Sequence, residues 1–328
     1  MKIAIQEAVE LSNQVLSKIG IQPEEASLIT ENLIDAELSG RKTHGFVRLL
    51  SFKKSSDEGK LNTEELKIDV TQESPVSLHI DGHKKLGYGP IYKSLDLAFE
   101  KMKTSKMLSV GIKDLGVTGY IGAYARKATE NNLIFIGFNN SAGGLVPYGS
   151  TKELWGTNPI TVGVPTSGLP VILDMASSQI TWGDLLVAKN EGKKIKEGSA
   201  IDSEGIQTTD PEKAMSGGLL PFFGHKGSGL AFIVELLGGA LTGSRVGYSV
   251  PGGWGSFYIL IDPTIFRPLE DFKKDIDTAI NELKNAPKAD GFTEIYYPGE
   301  KSGKLREKQM SEGFVEINDV LLEKVKNI

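Results

Sequence analysis

Residues 107–138 read MLSVGIKDLGVTGYIGAYARKATENNLIFIGF. Two short apolar runs, MLSVGI and LIFIGF, have the composition of buried strands, and IGAYARKATENN between them has helical spacing. Strand, helix and strand in one stretch are the repeating unit of an α/β core. The pattern extends downstream, where PITVGVP (159–165), PVILDMA (170–176) and GSFYILID (255–262) read as further strands. Upstream, VSLHIDG (76–82) alternates like a half-buried strand and turns at Asp81-Gly82, and GPIYKSLDLAFEKMK (89–103) returns to helical spacing.

The flanks are helical. Ile3, Ile5, Ala8, Val9, Val15, Leu16 and Ile19 fall largely on one face before Gly20, and QPEEASLITENLIDAELSG (22–40) opens with Pro23 and two glutamates as a helix start prefers. The N-terminus therefore reads as an amphipathic helix rather than a signal peptide. SGLAFIVELLGGALTG (228–243) is almost wholly apolar, a buried helix or the wall of a subunit interface. LEDFKKDIDTAINELKNA (269–286) reads as a helix with a charged face, and residues 285 to about 315 as an extended surface segment.

Composition narrows the function. The 328 residues hold 37 Lys and Arg against 42 Asp and Glu, a net charge of -5, so no overall positive field is available to hold a nucleic acid. The chain has no cysteine, which removes thiolate metal sites, disulfides and a cysteine nucleophile, and fits a cytoplasmic location. No run of eighteen apolar residues marks a membrane span. No G-x-G-x-x-G follows a strand, no G-x-x-x-x-G-K-[ST] occurs, and no G-x-S-x-G elbow supports a serine hydrolase.

Several stretches can carry chemistry. SGRKTHGFVRLLSF (39–52) sets one of only four histidines, His44, four positions before Arg48, with the Thr43 hydroxyl beside it. A histidine moves protons near neutral pH and an arginine grips a carboxylate with two parallel hydrogen bonds. Glycine-rich turns at NNSAGGLVPYGS (139–150), LWGTNP (154–159), FFGHKGSG (222–229) and YYPGE (296–300) offer backbone N–H groups beside small hydroxyls, and Lys226 adds a positive charge at the start of the apolar helix. Asp174 ends an apolar strand, where ligands of α/β sheets commonly sit, or it caps a helix starting near Ser177 and Ser178. His79 and His83 have too few neighbouring ligands for a metal site and read as structural.

Taken together these stretches resemble the type-2 malate/L-lactate dehydrogenase family, nearly end to end. THGFVRL is similar to the family's S-H-G-x-x-R-L, and residues 139–165 resemble its long N-S to G-T-N-P stretch. LDMASSQITWG, TTDPEKAMSGGLLPFFGHKGSGLAF and YYPGE resemble its remaining segments, in the family's order. The resemblance implies an α/β/α fold around a mixed seven-stranded sheet that binds NAD or NADP without a Rossmann motif, and a homodimer. It implies a helical part, residues 1–75, packing with the segment 255–328, and a cofactor-binding α/β domain at 76–254.

By the same resemblance His44 is the proton donor in carbonyl reduction and Arg48, with Thr43, holds the substrate carboxylate. Ser141, Thr157, Asn158, Asp174, Met175, Ala176, Lys226, Pro298, Gly299 and Glu300 are expected near the cofactor. Two departures stand out. Where many members carry a second histidine, IKDLGVTGYIG (112–122) places Asp114, which is expected to take over its catalytic polar role, and Ser39 stands where members often have arginine. The expected activity is hydride transfer between a nicotinamide and C2 of a small 2-oxo or 2-hydroxy carboxylic acid. The alternatives are reduction of a cyclic ketimine, or a non-catalytic nucleotide-binding protein.

Overall fold

The computed structural model describes residues 1–190 and 192–328. A short strand, β1 (Lys2–Ala4), leads into α1 (Ile5–Lys18) and α2 (Pro23–Leu38), and a 3₁₀ turn at Lys42–His44 precedes α3 (Val47–Asp57). Then come β2 (Asp69–Ser74), β3 (Ser77–Asp81), α4 (Tyr88–Met102), β4 (Met107–Leu115), α5 (Ile121–Glu130), β5 (Ile134–Asn139), β6 (Ile160–Val164) and β7 (Val171–Met175). A smaller unit follows: α6 (Trp182–Asn190), β8 (Ala200–Ile201), α7 (Pro211–Ser216), β9 (Gly218–Leu219) and α8 (His225–Val234), which runs into a π-helical turn at Glu235–Ala240. The chain ends with β10 (Trp254–Ile261), α9 (Leu269–Asn285), α10 (Glu300–Glu312), β11 (Phe314–Glu316) and α11 (Asp319–Lys326).

The central sheet has seven strands in the order β2-β3-β4-β10-β5-β6-β7. Only β3 and β4 pair in parallel; every other neighbouring pair is antiparallel, so the sheet is mixed. Because strand side chains alternate between faces, Tyr258 and Leu260 of β10 point into a core with Ile91, Tyr92 and Leu95 of α4 and Tyr124 and Ala125 of α5. On the opposite face Gly255 lies against the backbone of Gly238 in the π-helical turn, so closely that an added Cβ would sit 1.9 Å from the Gly238 oxygen. Helical layers thus cover both faces of the sheet. A second core joins the two ends of the chain: Ile29, Leu33, Phe46 and Leu49 pack with Val315, Leu322 and Val325, and β1 pairs antiparallel with β11.

Two expectations need correction. The boundary placed at residue 254 cuts into β10, which occupies the middle of the sheet between β4 and β5 rather than joining the C-terminal segment. Strand order is set by pairing across the whole chain, which local periodicity does not report. The stretch expected to be extended contains α10, which starts after Gly299 and stops at Gly313, both at positive φ (88° and 72°). Its lysines, glutamates, arginine and glutamine are good helix formers, and the flanking glycines supply the left-handed residues at its ends. No helix among the described residues is long and apolar enough to cross a membrane.

Candidate active site

A cleft of about 800 Å³ opens at the carboxyl ends of β5 and β7, bordered by the loop after β4 and the first residue of β10. Its walls are the 40–48 loop, the N-terminus of α5, the glycine turn 141–144 and the start of α6. The volume is in the range of small-molecule sites.

The 40–48 loop is organised from α2. Glu37, almost fully buried, accepts a hydrogen bond from the Phe46 backbone N–H at 2.8 Å and pairs with Lys42 Nζ at 2.8 Å. Burial raises the Glu37 pKa, and Lys42 and the Phe46 N–H oppose that rise. Gly45 is needed here because a Cβ would lie 2.2 Å from Glu37 Oε1. This grip presents His44 and Arg48 to the cleft. His44 Nδ1 and Thr43 Oγ1 are 3.0 Å apart, which leaves Nε2 for a ligand. Burial, then the positive charges of Arg48 and Arg41, push the His44 pKa down to about 3. The protein therefore holds the ring neutral at neutral pH. Arg48 Nε is buried without a hydrogen-bond partner, and Arg48 has no ion pair among the described residues.

The opposite wall is fixed by hydrogen bonds between distant segments. Asn32 of α2 accepts from Tyr120 N at 2.9 Å and donates to Tyr120 O at 3.1 Å, holding the entry to α5. Asp174 accepts from Gly122 N at 2.8 Å and from Thr161 Oγ1 at 3.0 Å, so it caps the first turn of α5 while lining the cleft. Burial raises its pKa. Neither earlier reading placed that cap: the helix it serves lies far back in the sequence, not at Ser177. Asn139, at the end of β5, lines the cleft with a buried Oδ1 that has no hydrogen-bond partner.

Of the residues expected from sequence, Thr43, His44, Arg48, Ser141, Thr157, Asp174 and Ala176 meet in this cleft. The others fall outside its wall. Asp114 sits at a positive φ of 52°, and its Oδ1 accepts from Gly253 N at 2.9 Å, so it anchors the turn before β10. Asn158 is fully buried; it accepts from Ser141 N at 3.1 Å and donates to Glu235 at 2.7 Å, supporting the wall from behind. Met175 is opposite Ile160 in the sheet register. Lys226 is exposed in the first turn of α8. Pro298 and Gly299 pack on β7, where Pro298 O accepts from Ile172 N at 3.0 Å, and Glu300 is buried against Lys284 and Lys304.

Sequence reasoning missed Arg41, Tyr120, Asn139 and Trp182, all of which line the cleft. Arg41 was visible beside His44; Tyr120 and Asn139 join the same cleft only through the tertiary fold. Ser39 accepts from Arg126 Nη2 at 3.2 Å, so an arginine from α5 fills the space at that position. His79 bonds Thr71 and Thr242 O, and His83 bonds Asp69, outside the cleft.

The residues present fit a dinucleotide and an acid together. Gly143 and Gly144 have positive φ and form a tight turn on one wall, while the unpaired Asn139 Oδ1 and Arg48 Nε await a donor-bearing amide and an anion.

The family model described as malate/L-lactate dehydrogenase matches residues 3–326. Malate/(S)-sulfolactate dehydrogenase of Methanothermus fervidus is 33% identical over 336 residues, covering 100% of this chain and 97% of that protein. (2R)-3-sulfolactate dehydrogenase (NADP(+)) of Chromohalobacter salexigens is 31% identical, over 75% of this chain and 74% of its own. Among solved structures, sulfolactate dehydrogenase from Methanocaldococcus jannaschii superposes with a TM-score of 0.87 at 32% identity, covering 100% and 96% of the two chains.

Proposed function

The chain belongs to the malate/L-lactate dehydrogenase family, and on that premise we propose that His44 and Arg48 serve an NAD(P)-dependent interconversion of a small 2-hydroxy acid and its 2-oxo acid. The enzyme is a dehydrogenase of 2-hydroxy acids that uses NAD or NADP. A nicotinamide dinucleotide held along the cleft wall formed by Ser141, Thr157, Asp174 and Ala176 would supply the hydride-transfer chemistry when bound.

The observation that carries the site assignment is a neutral histidine beside a half-buried arginine whose Nε is buried without a hydrogen-bond partner. Arg48 takes the C1 carboxylate in its fork, which fixes C2 and its oxygen relative to His44. In oxidation the C2–H pair leaves as hydride, the C2–O bond becomes a carbonyl, and the hydroxyl proton passes to His44 Nε2. Burial and two guanidiniums keep the free ring neutral but weakly basic, so its proton affinity depends on an anion binding beside it. A carboxylate on Arg48 offsets part of the positive field and raises the His44 pKa, so the protonated ring is also sustained for the reverse step. Thr43 fixes the ring through Nδ1. Asp174 and Asn139 shape the cofactor side of the cleft.

The finer assignments rest on surface and composition. A homodimer is supported by apolar side chains left exposed along α8 and the π-helical turn, among them Phe232 (48%) and Leu241 (59%), and by α9, an amphipathic helix with no buried residue. A cytoplasmic location fits the cysteine-free composition.

The test is nicotinamide absorbance with NADH or NADPH and a panel of pyruvate, oxaloacetate, 2-oxobutyrate and a cyclic imino acid. Oxidation of the cofactor by 2-oxo acids, reduced about 10²–10⁴-fold in His44→Asn while the cofactor still binds, is the expected result. Turnover of the cyclic imine alone, independent of His44, would replace this reading with ketimine reduction.

A further inference from the structure

A second cavity, of about 470 Å³, lies between α1, α2, α5 and α10 and shares no wall residue with the catalytic cleft. Its volume is in the range of small-molecule sites. One side is apolar and only partly covered by the fold: Ile5 and Val9 of α1 are half-buried, and Met310 of α10 is exposed. The charges on its wall are unevenly shared. Asp35 of α2 is the partner of two guanidiniums at once, Arg126 of α5, whose Nε stands 3.4 Å away, and Arg306 of α10. Arg126 is buried, and its other bond among the described residues runs from Nη2 to Ser39 Oγ at 3.2 Å. Arg306 has no other partner among the described residues. Lys127 is taken by Glu31 at 3.2 Å and by the Tyr92 ring, the Thr30 hydroxyl donates to Asn13, and Glu130 is exposed at the end of α5.

We propose that this cavity is an effector site for a monocarboxylate with a short apolar chain, its carboxylate held between Arg126 and Arg306 and its chain laid on Ile5, Val9 and Met310. Asp35 engages only the Nε of each arginine, which leaves both Nη groups of Arg306 and Nη1 of Arg126 for a second carboxylate. The buried end of the cavity has one positive charge in excess, which a single anion answers, whereas a dianion would also face Glu31 and Glu130. Burial of the chain adds the apolar contribution.

The helices that wall this cavity also frame the catalytic cleft. Asn32, one turn before Asp35, holds Tyr120 at the start of α5, and Glu37, two residues after it, grips the loop carrying His44. Arg126 ties α5 to α2 beside that loop through Ser39. A ligand that draws on Arg126 competes with this tie and so changes the affinity of the cleft for nicotinamide dinucleotide, and by linkage the dinucleotide changes the ligand's affinity by the same factor. The effector role rests on the assignment of the cleft above; the binding site does not.

Hexanoate, acetate and hexanol are titrated calorimetrically into wild type, Arg306→Gln and Met310→Trp, the last filling the cavity from its exposed side. Both substitutions are on α10, outside the catalytic cleft and at positions that are not buried. The expected result is one hexanoate per chain, bound about tenfold or more tighter than acetate or hexanol, with the affinity lowered by about the same factor in each variant. Hexanol binding as tightly as hexanoate, no saturable binding, or hexanoate binding that survives both variants and is lost in Arg48→Gln would overturn the site. Fluorescence titration of NADH or NADPH with and without saturating hexanoate reads the effector role. The dissociation constant is expected to shift about fivefold or more in wild type and to stay fixed in Met310→Trp. A constant that does not move while hexanoate fills the cavity would overturn the effector role.

Discussion

Glu37 Oε1 accepts the backbone N–H of Phe46 at 2.8 Å, so a carboxylate on α2 closes the loop that carries His44 two residues earlier. Its Oε2 takes Lys42 at 2.8 Å from the other side of the histidine. Glu37→Ala leaves a buried N–H unpaired and is expected to cost about 1–3 kcal/mol. Glu37→Gln keeps the shape but loses the charge-assisted bonds, and should lower kcat while leaving the affinity for the cofactor. Thermal melts with steady-state kinetics check both, and an unchanged kcat in both variants would remove Glu37 from the positioning of the loop.

Acid should destabilise the fold through His44. An unfolded histidine binds a proton near its ordinary value of 6.5, whereas in the fold that uptake is delayed to about 3. Between those values the unfolded state holds more protons, so stability falls as pH drops through that window and is fully present above it. By pH 5 the loss is on the order of 1–2 kcal/mol, allowing for solvent in the cleft. Chemical denaturation of wild type and His44→Gln at pH 7 and 5 measures it. A variant as acid-sensitive as wild type would contradict the neutral, buried ring.

Arg48→Lys should raise the KM for the acid about ten- to a hundredfold, with a smaller change in kcat, because an ammonium cannot reproduce the planar fork. Initial rates over a range of acid concentrations separate the two constants. Ordinary affinity in the variant would count against Arg48 as the carboxylate clamp.

Association should depend on α8 and the turn after it. Sedimentation of wild type is expected to give a species of two 35.5 kDa chains, and Phe232→Glu combined with Leu241→Glu to shift it toward one. A wild-type protein that sediments as a single chain at micromolar concentration would end the dimer proposal.

Much of this protein was determined by local sequence. Periodicity places β4, α5, β5, β6 and β7, because a strand buried on one face and a helix packed along one stripe both write their geometry into neighbouring residues. The short segment 43–48 likewise keeps Thr43, His44 and Arg48 together, since a 3₁₀ turn and the first turn of a helix leave little room to separate them. Tertiary structure alone decided the rest. It set β10 between β4 and β5, and it brought Asp174 to the N-terminus of α5 and Asn139 to the wall facing the 40–48 loop. It also turned Asp114 and Glu300 away to structural bonds. These outcomes depend on hydrogen-bonded pairing and packing between residues far apart in the chain, whose free energies are summed over the whole fold and leave no signature in any one stretch.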